Sequence, residues 1–136
     1  MRTNSRRSLA ALVLLAAFTA LGTAAWAGPR IETWEAPNGA KVLFVAAPDL
    51  PILDVRVVFR AGGARDGEQS GLAALTAGML SQGAGEWDAD RIAERVEAVG
   101  ASLSVGAARD MAYVSARTLT RKPAMDTTLE TMAAVL

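Results

Sequence analysis

Apolar and polar residues alternate along the first half of the chain in the manner of β-strands. A short strand is expected at residues 31–34, followed by Asn38-Gly39, the strongest local signal for a hairpin turn. Residues 41–46 then form the returning strand. Between residues 53 and 60 apolar side chains alternate with charged ones, which is typical of a strand with one buried face.

Helical periodicity follows a loop at residues 61–69 that is rich in glycine and charge. Ser70 is positioned to cap the next helix. Apolar side chains recur in that helix at helical spacing, at Leu72, Leu75, Met79 and Leu80, and we expect them to face the core. The glycine-rich loop lacks a lysine at the spacing of a phosphate-binding loop, so a plain turn is favoured.

A second helix is expected to begin at Asp88 and to stop at Gly100, with Ile92, Val96 and Val99 on its apolar face. Two strands then follow on either side of a turn at residues 107–110. The last helix begins near Pro123, and its apolar positions are Met125, Leu129, Met132 and Leu136. It reaches the last residue without a stop signal, which suggests that the chain ends inside a larger domain.

The predicted order of elements is β-β-β-α-α-β-β-α, with consecutive strands close enough to form hairpins. This order indicates an α+β fold, in which helices pack on one face of a mostly antiparallel sheet. We expect Trp87 and Tyr113 to belong to the buried core, although both could contribute to a binding surface.

Residues 1–27 have the features of a secretory signal peptide. Arginines at positions 2, 6 and 7 precede an uncharged apolar run from residue 9 to about residue 21, and Ala25-Trp26-Ala27 fits a cleavage site. An uncleaved anchor is the alternative, but the run is shorter than the ~20 residues that span a bilayer. The paired arginines also resemble a twin-arginine export signal. We expect residues 28–136 to form the mature domain.

The chain contains neither cysteine nor histidine. Disulfides, thiolate zinc sites, histidine-based charge relays and two-histidine zinc sites are therefore excluded for this chain alone. Removing the three arginines of the signal leaves eleven basic and fourteen acidic residues, a net charge of −3. An exported protein of this composition is expected in the periplasm or cell envelope of a bacterium.

Several short motifs, in their order and spacing, resemble the N-terminal half-domain of the pitrilysin/insulinase family of zinc peptidases. They are Arg60-Ala61-Gly62-Gly63-Ala64-Arg65-Asp66, Ser70-Gly71-Leu72-Ala73, Met79-Leu80, Ile92-Ala93-Glu94 and Val99-Gly100-Ala101-Ser102-Leu103. The resemblance extends from about residue 31 to the end, and it implies the fold of a half-domain of these peptidases.

Active members of this family carry the zinc motif H-x-x-E-H directly after the Ser-Gly-Leu-Ala-like segment. By resemblance, the two histidine positions correspond to Ala74 and Gly78, and the glutamate position to Ala77. The family's third ligand, a glutamate, would lie beyond Leu136. We therefore predict no catalytic, metal-binding or cofactor-binding residue in this chain. The three small residues either admit a closely packed surface or reflect drift after the loss of catalysis.

Other residues offer no replacement for the missing site. Asp66, Glu68 and Glu86 are expected to be solvated loop charges, and Thr76 is a poor zinc ligand. A site built from carboxylates alone would suit magnesium or calcium better than zinc. The serines of the chain have no histidine to act as a base.

The resemblance implies a non-catalytic partner subunit of a periplasmic zinc metallopeptidase. Zinc is expected only in the catalytic partner, and an extended peptide would bind in the chamber that the half-domains enclose. Two alternatives remain: a standalone peptide-binding or envelope scaffold protein, and a fragment of an active zinc peptidase whose intact site lies downstream. No nucleic-acid partner and no stable membrane span after signal cleavage are expected.

Overall fold

The computed structural model describes residues 28–136, so the predicted signal peptide and its cleavage site lie outside it. The described residues divide into two compact units, one that ends at Ala47 and one that spans Pro48–Leu136. No helix between residues 28 and 136 is both long and apolar enough to cross a membrane.

In chain order the elements are β1 (Ile31–Glu35), β2 (Lys41–Val45), β3 (Ile52–Phe59), a 3-10 turn (Gly63–Arg65), α1 (Leu72–Met79), β4 (Gly83–Ala84), β5 (Trp87–Asp88), α2 (Ala89–Glu97), β6 (Ser102–Ala107), β7 (Ala112–Leu119) and α3 (Lys122–Val135).

In the first unit, β1 and β2 form the predicted antiparallel hairpin. Their register runs from Ile31 opposite Val45 to Glu35 opposite Lys41. The turn depends on Asn38-Gly39. Gly39 adopts a φ of 82°, in the left-handed region that glycine tolerates best, and the Asn38 side chain accepts a hydrogen bond from the backbone of Ala40.

The second unit is built on a three-stranded antiparallel sheet with the order β3-β7-β6. The central strand, β7, pairs with β3 from Phe59 opposite Ala112 onward, and with β6 from Ser102 opposite Arg117 onward. The alternation predicted for these strands is confirmed. One sheet face carries mostly aliphatic side chains, and the other carries charged and hydroxyl side chains together with Ile52, Val58 and Leu119.

The core lies between the aliphatic face of the sheet and the helices. Val114, Ala116 and Met132 form its buried centre, and five half-buried side chains pack around them: Val55, Val57, Leu80, Leu103 and Val105. α1 packs on β6 and α3 packs on β7. The α+β fold, with helices on one face of an antiparallel sheet, is therefore confirmed. The small β4–β5 hairpin was not predicted.

The start and end of α2 agree with the sequence prediction. The Asp88 carboxylate accepts a hydrogen bond from the Arg91 N–H at 2.8 Å, which satisfies a donor of the first turn. Gly100 has a φ of 67° just after the helix, where a left-handed residue ends helical hydrogen bonding. Ile92 and Val96 are buried as expected.

The apolar stripe predicted for α3 was partly wrong. Met132 is buried, but Leu136 is 50% exposed. The buried positions of α3 are Ala124, Thr128, Thr131, Met132 and Val135. Two threonines can be buried here because their hydroxyls donate to main-chain carbonyl oxygens one turn earlier, Thr128 to Ala124 and Thr131 to Thr127, each at 2.7 Å. A pattern based on large apolar residues does not predict that these two threonines are buried.

Candidate functional site

The loop before α1 is held against the turn between β6 and β7. The backbone N–H groups of Gly63 and Ala64 donate to the carbonyl oxygens of Ala108 and Arg109, at 3.0 and 2.7 Å. A Cβ at Gly62 would lie 2.7 Å from the Ala108 oxygen, so only glycine fits this approach. The glycine pair of the sequence motif therefore serves to dock the loop.

The cap of α1 comes from Asp66 and not from Ser70. Gly71, with a φ of 93°, is the N-cap residue, and it has no side chain to accept a hydrogen bond. The Asp66 carboxylate instead accepts from the N–H groups of Gly71, at 2.8 Å, and Ala73, at 2.9 Å. The capping role predicted for Ser70 was wrong, and Asp66 is a structural acceptor beyond the loop charge that was predicted. Asp66 lies five residues before the N-cap residue Gly71, whereas a capping side chain normally belongs to a residue next to the helix, so the local sequence does not indicate this role.

The three positions that correspond to the zinc motif differ in their surroundings. Ala77 is buried, with 3% of its surface exposed. Ala74 and Gly78 lie one turn apart on an exposed side of α1. A Cβ added at Gly78 would meet no heavy atom within 4 Å. Among the described residues, therefore, nothing packs against Gly78.

The apolar stripe of α1 is not buried as predicted. Leu72, Leu75 and Met79 are 46%, 66% and 57% exposed, whereas Leu80 packs on the core. The physical reason is that the small side chain of Ala77 faces the interior, so the larger apolar residues point away from it. A helix that is apolar on all sides is usually buried in a larger structure.

The residues of α1 do not fit a zinc ion. Alanine and glycine side chains have no donor atoms, and the chain has no histidine or cysteine to supply them from elsewhere. Within residues 28–136 no three Asp or Glu side chains are close enough to hold a metal. Asp66 is engaged as a cap, and Glu68 and Glu86 are exposed in loops.

A groove of about 540 Å³ lies beside the free edge of β6. One wall is α2, through Ile92, Ala93 and Val96, and the other is the start of β6. Because β6 pairs only with β7 within the second unit, one side of its backbone is open to the groove. A groove of this size beside a strand edge is large enough to receive a ligand.

The outer face of the sheet carries one ion pair and, beside it, a hydrogen bond from an arginine to a serine. Arg117 donates to both oxygens of Asp54, from Nε at 2.6 Å and from Nη2 at 2.9 Å. These hydrogen bonds lower the pKa of Asp54 and raise the pKa of Arg117. The neighbouring Arg56 donates from Nε to the Ser115 hydroxyl at 2.8 Å.

The two aromatic residues expected in the core lie at its margins. Tyr113 is half-buried on the outer face of the sheet, where the Arg56 guanidinium lies 4.8 Å from its ring centre. Trp87 is half-buried beneath the guanidinium of Arg95, at 3.9 Å. The expected full burial in the core was therefore wrong: each ring is only half-buried, with an arginine guanidinium over it.

Comparison with known proteins assigns the family. Residues 41–136 match the family model described as Insulinase (Peptidase family M16). A solved structure of a peptidase M16 inactive domain from Pseudomonas fluorescens is 40% identical, with a TM-score of 0.75 over 78% of this chain and 26% of that one. A protease from Helicobacter pylori shares the fold at 20% identity, with a TM-score of 0.67 over 79% of this chain and 26% of that one.

No curated protein matches the chain. The chain spans about a quarter of the length of each of these two solved structures. The similarity to an inactive M16 domain supports a non-catalytic protein of this type. On the match over residues 41–136 and the 40% identity, the chain belongs to the insulinase family, peptidase family M16.

Proposed function

We propose that this chain acts as a non-catalytic partner of a zinc-bearing M16 peptidase and contributes to the surface that holds the peptide substrate. The predicted signal peptide at residues 1–27 supports export, and we place the complex in the bacterial periplasm. Zinc and the catalytic groups are supplied by the partner subunit.

The observation that carries this proposal concerns α1. This helix is folded and packed on the sheet, but its zinc-motif positions have no atoms that can bind a metal. α1 is capped by Asp66, docked through the Gly62 loop and packed on the sheet through Ala77 and Leu80. The zinc-motif positions in it hold Ala74, Ala77 and Gly78. A fold kept intact around an absent metal site favours a binding role over a catalytic one.

The groove along β6 supports the peptide-binding part of the proposal. An extended peptide can add a strand to a free sheet edge, and its main-chain hydrogen bonds then give affinity for many sequences. β6 has such an edge, and the apolar wall of α2 lies beside it. This arrangement suits a chamber wall that holds a substrate for cleavage by a neighbouring subunit.

The exposed apolar side of α1 supports a second contact surface, which another protein segment would cover. Leu72, Leu75 and Met79 together form an apolar patch next to the open face of Gly78. Such a patch is expected to be covered by protein in the working complex.

The proposal is tested by metal analysis and peptide assays on the purified protein. We expect no stoichiometric zinc after dialysis, no cleavage of unstructured peptides, and measurable binding of those peptides by fluorescence anisotropy. Adding a family member with an intact H-x-x-E-H motif, encoded beside this gene, should produce cleavage faster than that member achieves alone. One tightly held zinc per chain, or cleavage by the isolated protein, would overturn the proposal.

The two alternatives predict different results in the same experiment. A standalone scaffold binds peptides but changes no partner's cleavage rate, and no H-x-x-E-H motif is encoded nearby. An active enzyme with a downstream site carries that motif in the same polypeptide, after Leu136, and cleaves without a partner.

A further inference from the structure

The strand β3 lies at the opposite side of the sheet from β6, and one of its edges carries unpaired backbone groups. Among the described strands, β3 bonds only to β7. Next to β3, the Thr120 N–H donates to the Pro51 carbonyl oxygen at 3.0 Å. Because hydrogen-bonded pairs alternate along an antiparallel ladder, the odd-numbered residues of β3 bond to β7. The N–H and C=O groups of residues 52, 54, 56 and 58 therefore point to the open edge.

This edge is open to pairing with another strand. Proteins usually protect a free edge with a very short strand, a bulge, a proline or charged side chains. β3 is eight residues long, pairs with β7 without a bulge and contains neither proline nor lysine. It carries exposed apolar side chains at both ends, Ile52 and Val58. Its two charges are of opposite sign, so they repel a second strand only in some registers.

The side chains of β3 are arranged symmetrically about Val55. Asp54 and Arg56 flank it, and both are exposed on the outer face. In an antiparallel pair of two β3 strands centred on Val55, each Asp54 lies opposite an Arg56. Each Ile52 then lies opposite a Val58. All these facing residues direct their backbone groups to the edge, so each pair can form two main-chain hydrogen bonds.

Charge selects this register over its neighbours. Sliding the second strand by two residues places either Arg56 opposite Arg56 or Asp54 opposite Asp54, and like charges directly opposite one another are destabilising. Sliding it by one residue sets groups that point to the edge against groups that point to β7. Larger slides leave fewer residues of β3 paired. The register centred on Val55 is therefore the favoured one.

The existing contacts of the two charged residues are compatible with this pairing. Arg117 donates to both oxygens of Asp54, and Arg56 donates to the Ser115 hydroxyl. Both contacts lie on the outer face, so they leave the backbone of the edge free. In the pair of strands Arg56 keeps its bond to Ser115 and attracts the facing Asp54 through its charge.

We infer that β3 is a self-association surface, through which two copies of this chain join about a two-fold axis at Val55. The two sheets become one sheet of six strands, with the order β6-β7-β3-β3-β7-β6. The interface is isologous, since the same strand contributes both halves. This inference goes beyond the proposed function, because it requires neither a peptidase partner nor a peptide.

Cysteine cross-linking tests the register directly, because the chain contains no cysteine. The two copies of Val55 form a non-hydrogen-bonded pair, whose Cα atoms lie about 4.5 Å apart, within the range of a disulfide. Val55→Cys should therefore give a disulfide-linked dimer on non-reducing gels after mild oxidation of the purified protein. Leu53→Cys and Val57→Cys should cross-link poorly alone and well when mixed, because residue 53 of one copy faces residue 57 of the other.

Charge substitutions test what holds the pair together. In sedimentation velocity over a wide range of concentrations, the protein should dimerise reversibly, and added salt should weaken the dimer. Arg56→Glu sets acidic side chains opposite one another and should weaken it at least about tenfold. Arg109→Glu, the same change in the exposed β6–β7 turn, should change it less than about twofold. Mixing Arg56→Glu with Asp54→Lys should restore association, because opposite charges then face one another again.

Circular dichroism verifies that each variant is folded. A protein that stays monomeric at every concentration, or a dimer that Arg56→Glu leaves unchanged, would overturn the inference. Efficient cross-linking by Leu53→Cys alone would show that the register is wrong. If another protein occupies this edge, Arg56→Glu weakens that complex while Val55→Cys forms no dimer, and the inference fails. The proposed function is tested separately, by partner-stimulated cleavage, and stands or falls on that result.

Discussion

Asp66 holds the first turn of α1 through Ala73, whose N–H donates to Asp66 Oδ1 at 2.9 Å. The second carboxylate oxygen accepts from Gly71 at 2.8 Å. A carboxylate seven residues before its helical partner thus satisfies donors that a neighbouring side chain would normally satisfy. This single residue connects the docked loop to the helix that bears the zinc-motif positions.

The first prediction concerns this cap. Asp66→Ala should lower the free energy of unfolding by about 0.5–2 kcal/mol, the usual cost of losing a capping side chain. Ser70→Ala, next to the helix but without a capping bond, should change it by less than about 0.5 kcal/mol. Urea unfolding followed by circular dichroism measures both. An equal cost for the two substitutions would show that Ser70 shares the cap.

The contrast between α1 and α2 shows how far the sequence alone can predict the structure. For α2, the Asp88 cap, the Gly100 stop and the buried Ile92 all follow from local patterns, because one face of the helix is apolar and the other charged. α1 is apolar on all sides, so its periodicity cannot indicate which face is buried. The buried residue is Ala77, a small side chain that an apolar stripe of large residues does not include.

The candidate site also has some features that the sequence predicts and others that it does not. The absence of donor atoms at Ala74, Ala77 and Gly78 can be read from the sequence, since it requires only residue identities. The groove beside β6 cannot, because it depends on how α2 lies across a strand edge. Likewise, the cap by Asp66 depends on how the loop folds back, and no local motif encodes that geometry.

The second prediction tests whether a partner packs closely against Gly78 or whether this glycine reflects drift after the loss of catalysis. Glycine inside an exposed helix costs about 0.5–1 kcal/mol relative to alanine, and no atom within 4 Å opposes a Cβ here. Gly78→Ala should therefore stabilise the isolated protein by that amount in urea unfolding. If a partner packs closely on this side of α1, the same variant should bind that partner more weakly.

Gly71→Ala is the matched control for this substitution. Gly71 also has open space around it, but its φ of 93° is unfavourable for alanine. This variant should lose stability where Gly78→Ala gains it. Destabilisation of the isolated protein by Gly78→Ala would show that Gly78 serves the fold itself.

The third prediction concerns Arg95, which joins α2 to α3. Its Nη2 lies 2.7 Å from Glu130, its Nε donates to the Thr131 hydroxyl at 3.2 Å, and its guanidinium covers the Trp87 ring. Lysine cannot reproduce the Nε bond or the planar stacking. Arg95→Lys should cost about 1–3 kcal/mol, and Arg91→Lys, in an exposed pair, less than about 0.5 kcal/mol, by urea unfolding.

The fourth prediction is a pH dependence of the Asp54–Arg117 pair. The hydrogen bonds from Arg117 lower the pKa of Asp54 in the folded protein below its unfolded value. The stabilisation is therefore complete above the unfolded pKa of about 3.9 and is lost as the pH falls through the folded pKa. NMR titration of the Asp54 carboxyl should show a midpoint that rises towards its ordinary value in Arg117→Thr.

Arg56→Thr controls for a general loss of positive charge on the same face. Arg56 bonds to Ser115 and not to Asp54, so its removal should shift the Asp54 midpoint much less. Added salt should reduce the difference between folded and unfolded pKa values, because both groups of the pair are exposed. Equal shifts in the two variants would contradict a specific effect of the Arg117 hydrogen bonds.

The last prediction concerns restoration of the zinc motif. Ala74→His and Gly78→His place two imidazoles one turn apart on an exposed side of α1, where space is open, so this double variant should fold. Two ligands hold zinc weakly, and dialysis should remove the metal.

Adding Ala77→Glu buries a carboxylate at a site that is 3% exposed, which should cost at least about 2 kcal/mol. Metal analysis and a fluorogenic peptide assay should find neither stoichiometric zinc nor cleavage in the triple variant. A peptidase-active triple variant would show that this chain supplies a third ligand and that the motif alone was lost.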